Sequence, residues 1–342
     1  MRDAGVNKKN ITIMIAPGTH RIMTEKEIVK KLGRKIADNY KIIQHDYQDE
    51  GILANLGKVT INGREIPIEV NRNALAADFI IGIGSIVPHS DAGYSGGAKI
   101  VEPGICGYST TAATHILAAL LDEIPLGNVE NLCRQGIEKV TRKIGLDFII
   151  NIVKNYNDEI VGVYSGDFIK AHRKGVEKAR QAYGVEIEEA ADILIVSSYP
   201  FDIDWWQADK GLISASFAVK QGGIIILAAP CYEGLENNHP DLINWLKESH
   251  ANACQIAKRT SLSKKDRDLI AADLAISNAK IREKAEIFIV TEGLNKNAIK
   301  SLGYKYFDNI QEAINSSLKI KPRGTIGVLP RGGDALPVVK SK

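Results

Sequence analysis

Apolar residues along the chain arrive in short, unbroken, β-branched runs that stop at Gly or Pro: "ITIMIAPG" (11–18), "ADFIIGIG" (77–84), "ADILIVSSYP" (191–200), "GGIIILAAP" (222–230), "AEIFIVTE" (285–292) and "GTIGVLP" (324–330). Runs of this length predict strands. Their continuous apolar character predicts parallel strands covered on both faces, because a half-exposed hairpin alternates apolar with polar positions. Between the runs the pattern changes to a helical repeat. In "TEKEIVKKLGRKI", Ile28, Val29, Leu32 and Ile36 recur at helical spacing, and Thr24 with Glu27 makes a capping box at the start. A strand, a turn and a capped helix make "GTHR" (18–21) a loop at the carboxyl end of a strand, where open α/β sheets hold ligands. "IPIEVNRNA" (66–74) reads as the end of a small β excursion.

A charged helical stretch at 168–190 separates this series from a second that starts near Ala191. The pattern predicts an α/β fold of two lobes, each with a mostly parallel sheet flanked by helices, with the active-site cleft between them. An N-terminal, cofactor-binding domain over 1–188 and a C-terminal domain over 189–342 are expected, and 342 residues are too many for one ordinary domain core.

Charge changes this picture little. With 44 basic residues against 41 acidic ones, the formal charge of +3 argues neither for nor against an anionic partner. No stretch approaches the roughly 20 apolar residues that span a bilayer, and "MRDAGVNKKN" lacks the apolar core of a secretory signal. Neither nucleic acid nor a membrane is expected as a partner. Cys106, Cys133, Cys231 and Cys254 lie far apart with no CxxC pair, so neither a disulfide framework nor a thiolate zinc site is suggested, and a cytoplasmic location is expected.

The candidate chemistry gathers in three places. His20 in "APGTHR", His89 in "VPHSDAG" and His115 in "TTAATH" each stand on or beside a glycine-rich segment. Any one of them alone reads as a polar residue satisfied at an element's end. Two on strand-to-helix loops point to a shared acid/base role near neutral pH. Lys99 follows "SGG" in the otherwise uncharged "AGYSGGAKIV"; small residues such as Ser95, Gly96 and Gly97 let a backbone approach phosphate oxygens, and a lysine there can be a point charge or a covalent anchor. The full G-x-x-x-x-G-K-[ST] pattern is absent, since Ile100 follows Lys99 and leaves no hydroxyl for magnesium. In "SSYPFDIDWWQADKG" (197–211), which follows a strand and opens a helix, Gln207 and Lys210 are three residues apart and share a face, placed to grip one carboxylate. A capped interface loop is the plainer reading of that segment. No two histidines have the spacing of a metal-ligand pair, although a metal held mostly by a cofactor and one side chain escapes such a scan.

At these residues the sequence resembles the nickel-pincer lactate racemase family, whose members isomerise 2-hydroxy acids. The resemblance rests on "GTHRIMTEKE" (18–27), "PHSDAGYSGGAKIVEPGICG" (88–107) with His115 beyond it, and "WQADKG" (206–211), and runs on to "LPRGGDALP" (329–337). It implies that Lys99 is the covalent anchor of a pyridinium mononucleotide bearing sulfur donors, and that Ser95, Gly96 and Gly97 belong to the same cofactor-binding turn. It implies that His115 is the one protein ligand to nickel, in a planar four-coordinate site that suits Ni(II). It makes His20 and His89 the acid/base pair of a hydride-transfer racemisation, and Gln207, Lys210 and Trp206 the substrate-holding groups. Partners implied are a small 2-hydroxy acid and the proteins that build the cofactor and insert nickel.

The family carries a further N-terminal segment with an Asp-x-Thr-Arg-Pro motif. This sequence opens at "MRDAGVNKKNITIMIAPGTH" and "KVTRK" (139–143) is no substitute, so a chain truncated at its start relative to the family is expected. Ile22 stands where the family usually has proline. Two rival readings follow: a catalytically incomplete homologue acting as a binding or partner protein, and a pyridoxal enzyme with Lys99 as its Schiff base.

Overall fold

The computed structural model of the chain describes residues 5–235, 238–262 and 267–340. All six apolar runs contain a strand. Five strands form one all-parallel sheet in the C-terminal half, in the order Lys305–Phe307, Ala285–Val290, Val219–Ala228, Ala191–Ser197, Ile326–Leu329. Its two faces bury different side chains. Ile193, Ile224, Ile226 and Phe288 pack on one side with Ala313 of the helix Ile310–Ile320. Leu194, Val196, Ile225, Leu227, Ile287 and Ile289 pack on the other, with Leu212 of the helix Trp205–Ser216 and Ile276 of the helix Leu269–Lys284. Cover on both faces is what the unbroken runs call for.

The N-terminal half divides its strands among smaller sheets. Thr12–Ile15 pairs parallel with Lys41–Gln44, and Leu53–Ile61 pairs antiparallel with Arg64–Asn71, the excursion whose end the sequence marked. Ile81–Ser85 pairs parallel with Phe148–Lys154, which pairs antiparallel with Ile160–Gly166. This last sheet departs from the expected cover on both faces: Ile83 is 67% exposed and Val163 60%. Its buried face, including Ile149 and Val153, is closed by Leu146 and Val176.

The capping box forms, with Glu27 N–H donating to Thr24 Oγ1 at 3.4 Å and Thr24 N–H to Glu27 Oε2 at 2.7 Å. The stretch 168–190 is helical only over Lys170–Tyr183. Val185 and Ile187 then alternate with Glu186 and Glu188, a period of two, and Gly184–Ile187 is a strand paired with Leu336–Val339. Helix Tyr108–Ala119 of the first half packs against helix Leu269–Lys284 of the second, and the main cleft lies beside that junction. Among the described residues no helix is long and apolar enough to cross a membrane.

Candidate active site

The glycine-rich turn is held from beneath by buried polar groups. Arg134, fully buried on the helix Leu132–Ile144, donates from Nε to Ala92 O at 3.1 Å, from Nη1 to Gly96 O at 3.4 Å and from Nη2 to Tyr94 O. Gly97 N–H donates to Asn151 Oδ1 at 2.7 Å, and His172 Nε2 meets Ser95 O at 2.8 Å. Gly96 and Gly97 have φ of +76° and +58°, which favours glycine. A Cβ on Gly96 would sit 2.8 Å from Ile86 and one on Gly97 2.8 Å from His172. Ser95, Gly96 and Gly97 therefore stand behind the cleft wall, packed against protein, while the 3₁₀ turn Gly97–Ile100 that they shape carries Lys99 into the lining.

The cleft holds about 690 Å³ including its open mouth. His20, His89, Lys99, His115, Trp206, Gln207 and Lys210 all line it, so four sequence-distant segments from both halves meet there. No hydrogen bond or ion pair to Lys99 Nζ occurs among the described residues, and burial lowers its pKa against the opposing pull of Asp91. His115 Nδ1 lies 2.8 Å from Thr111 O, one turn back on its helix. Only an N–H can make that contact, so Nδ1 carries the proton and Nε2 keeps a lone pair for a metal or an acid.

His89 Nδ1 accepts the backbone N–H of Asp91 at 3.1 Å and lies 3.5 Å from Asp91 Oδ2. Burial, then the positive charge of Lys99, holds His89 well below the usual histidine range. His20 is also lowered, by the protein around it and then by Lys210, although its ring remains open to solvent at the mouth. Both rings are therefore neutral at pH 7 and available as proton acceptors.

Asp204 caps the helix Trp205–Ser216 by accepting from Gln207 N at 2.7 Å, which fixes the turn bearing Gln207 and Lys210. Gln207 Nε2 reaches His20 Nδ1 at 3.1 Å, and Lys210 Nζ donates to Gln207 Oε1 at 2.5 Å. Burial and the nearby Lys99 bring Lys210 down to about 8. Trp206 stacks on His239 with ring centroids 4.3 Å apart, and His239 Nδ1 lies 2.5 Å from Asp268 Oδ2, so the aromatic wall is braced from behind.

Several lining residues escape the sequence reading. Asp91, Asp209 and Asp273 line the cleft beside the cations, and ligand atoms of Asp91, His115 and Asp273 lie within 4.8 Å of one another. Asp273 Oδ1 is buried without a hydrogen-bond partner, and burial, then Asp91, pushes its carboxyl well up. Its one local mark in the sequence is a lone acid inside the apolar helix "LIAADLAIS". Asp209 accepts from Asn278 Nδ2 at 2.6 Å, and burial raises it to about 7. Glu102, fully buried below Lys99, accepts from Thr114 at 2.8 Å and is raised to about 7 by the same cause.

Comparison with known proteins adds a family. Residues 1–124 match the model of the lactate racemase N-terminal domain, and residues 186–335 that of the lactate racemase C-terminal domain. The lactate racemase of Thermoanaerobacterium thermosaccharolyticum is 30% identical over 328 residues, covering 94% of this chain and 75% of that protein. That of Lactiplantibacillus plantarum is 34% identical over 230 residues, covering 66% and 53%. The solved apoprotein of the first superposes with a TM-score of 0.85 at 28% identity, over 96% of this chain and 78% of that one. A Thermotoga maritima protein superposes at 0.76 with 23% identity, a likeness of fold.

Proposed function

Because this chain belongs to the lactate racemase family and is an isomerase, we propose that it racemises or epimerises a small 2-hydroxy acid in this cleft, with a nickel-pincer pyridinium nucleotide tethered at Lys99. The observation that carries the reading is the meeting of two neutral histidines, an amine with no hydrogen-bond partner among the described residues, an imidazole with Nε2 free for a metal, and the Gln207–Lys210 pair in one cleft.

The residues fit such a group. His115, with Nδ1–H spent on Thr111 O, would hold nickel through Nε2. Lys99, lowered by burial and carried into the cleft by the 3₁₀ turn Gly97–Ile100, is a competent nucleophile for a covalent link. When bound, the group supplies a hydride acceptor.

The chain's own residues do the rest. Lys210 and Gln207 exchange their mutual bond for the substrate carboxylate. His89 takes a hydroxyl proton at Nδ1, the nitrogen that carries the lone pair and that gives up the Asp91 N–H to do so, and the Asp91 carboxylate 3.5 Å away stabilises the imidazolium. His20 serves the mirror-image substrate, because the two enantiomers present their hydroxyls on different sides.

The test is to co-express the chain with cofactor-building and nickel-insertion proteins, then measure intact mass, metal content and optical rotation of 2-hydroxy acids. A mass increment on the Lys99 peptide, stoichiometric nickel and decay of rotation are expected. A nickel-free, unmodified chain that leaves every acid unchanged overturns the reading in favour of a binding or partner protein.

A further inference from the structure

Resting on the racemase reading, we infer that the two enantiomers are received unequally, because a second recess beside His20 takes an uncharged substrate side chain longer than methyl. This recess, about 800 Å³ with its mouth, shares His20 and Gln207 with the main cleft. His89 instead stands beside Ser90 and Asp91, with its side chain only 19% exposed.

One wall of the recess is apolar: Pro200, Phe201 and Ile203, the last 41% exposed. The Lys210 ammonium that grips the carboxylate lies 4.0 Å from the Phe201 ring centroid, so the grip and the apolar wall adjoin. Opposite charges are already matched. Arg21 donates to Glu233 at 2.8 and 2.7 Å and to Glu27 at 3.0 and 2.8 Å, and the Asp204 carboxylate also belongs to the wall. Arg21, the only cation among the described residues that line the recess, is already taken up by Glu27 and Glu233, which leaves no free cation there for a second carboxylate on the substrate.

Stereochemistry links the recess to the histidines. With the carboxylate on Lys210 and Gln207 and the C2 hydrogen turned toward the Lys99 and His115 side, two directions remain, and enantiomers exchange hydroxyl and side chain between them. The enantiomer whose hydroxyl meets His89 puts its side chain on the His20 side, at the recess. Its mirror image turns the side chain toward Ser90 and Asp91. A methyl hardly distinguishes the two, whereas each further buried methylene is worth roughly fourfold in affinity.

The test uses the holoenzyme with both enantiomers of lactate, 2-hydroxy-4-methylpentanoate and malate. Racemisation has an equilibrium constant of unity, so kcat/KM is equal in the two directions and unequal reception shows as KM and kcat changing together. Expected are KM values within about twofold for the lactate enantiomers and at least about fivefold apart for 2-hydroxy-4-methylpentanoate, with malate the poorest substrate. Ile203→Trp, at an exposed position, fills the recess and brings the larger ratio toward one. Equal KM values for the branched acid, a preference for malate, or a ratio indifferent to Ile203→Trp overturns the inference. Turnover of no acid sinks the racemase reading instead, and calorimetric affinities of the two branched enantiomers then still decide the recess.

Discussion

The two principal sheets solve the problem of positioning by different means. The five-stranded sheet is sealed on both faces by apolar side chains, and the helix Trp205–Ser216 that lies on it presents Gln207 and Lys210. The three-stranded sheet keeps one face open, with Ile83, Ile160 and Val163 each more than half exposed, yet its half of the chain carries Lys99, His115, His20 and His89 of the cleft. There the precision comes from buried polar groups: Arg134 on three carbonyls, Asn151 on Gly97, Thr114 on Glu102. The glycine-rich turn is thus fixed by matched hydrogen bonds where apolar cover is thin.

The sharpest break of this comparison pairs one substitution from each region. Phe288→Ala, in the sealed sheet, is expected to cost about 3–5 kcal/mol in urea unfolding. Arg134→Leu, which strands three carbonyls, should cost a similar amount, about 3–5 kcal/mol, and also abolish attachment at Lys99. An Arg134→Leu protein of full stability would show that the polar support is dispensable.

Next in size is a pH effect confined to the polar region. Glu102 is raised from 4.5 to about 7, so the folded state retains a proton that the unfolded chain releases. Its stabilising share is complete below pH 4.5 and is lost as pH rises through about 7, a fall of about 3 kcal/mol. Glu102→Gln should shrink that slope, leaving the part due to Asp209, which is also raised to about 7, and to Asp273, which burial pushes well up. Denaturant midpoints from pH 4.5 to 8 decide it, and an unchanged slope refutes the assignment.

The grip on the other lobe titrates too. Lys210, lowered to about 8, loses its charge above that pH, and the substrate KM should rise by roughly tenfold per pH unit there. Lys210→Arg should move the rise to higher pH, and steady-state kinetics would show it. Smallest is the open face itself: Ile83→Ser, at a side chain 67% exposed, should change stability by less than about 0.5 kcal/mol. A loss of several times that would mean that something covers the face in solution.

These contrasts also explain what could be read from residues alone. The strands of the sealed sheet announce themselves because full burial leaves a continuous apolar run, and Thr24 with Glu27 marks a helix start because both ends of the bond lie within four residues. His20, His89, Lys99, His115, Gln207 and Lys210 stand out because each breaks an apolar or glycine-rich context. Phe148–Lys154 and Ile160–Gly166 escaped notice, since a sheet open on one side mixes its pattern. Arg134 gave no local sign of its role and Asp273 only the mark of a lone acid in an apolar helix, because their partners are set by contacts across tens of residues.

Arg21 has a consequence outside the chemistry. Glu27 closes the cap of its own helix and also holds Arg21, which in turn holds Glu233 of the other lobe. One carboxylate thereby couples the first turn of a helix to a clasp across the mouth. The clasp is built of partly exposed charges, and added salt weakens exposed ion pairs. Rising ionic strength is expected to weaken this tie between the lobes, while the apolar contacts of the sealed sheet beneath do not depend on it.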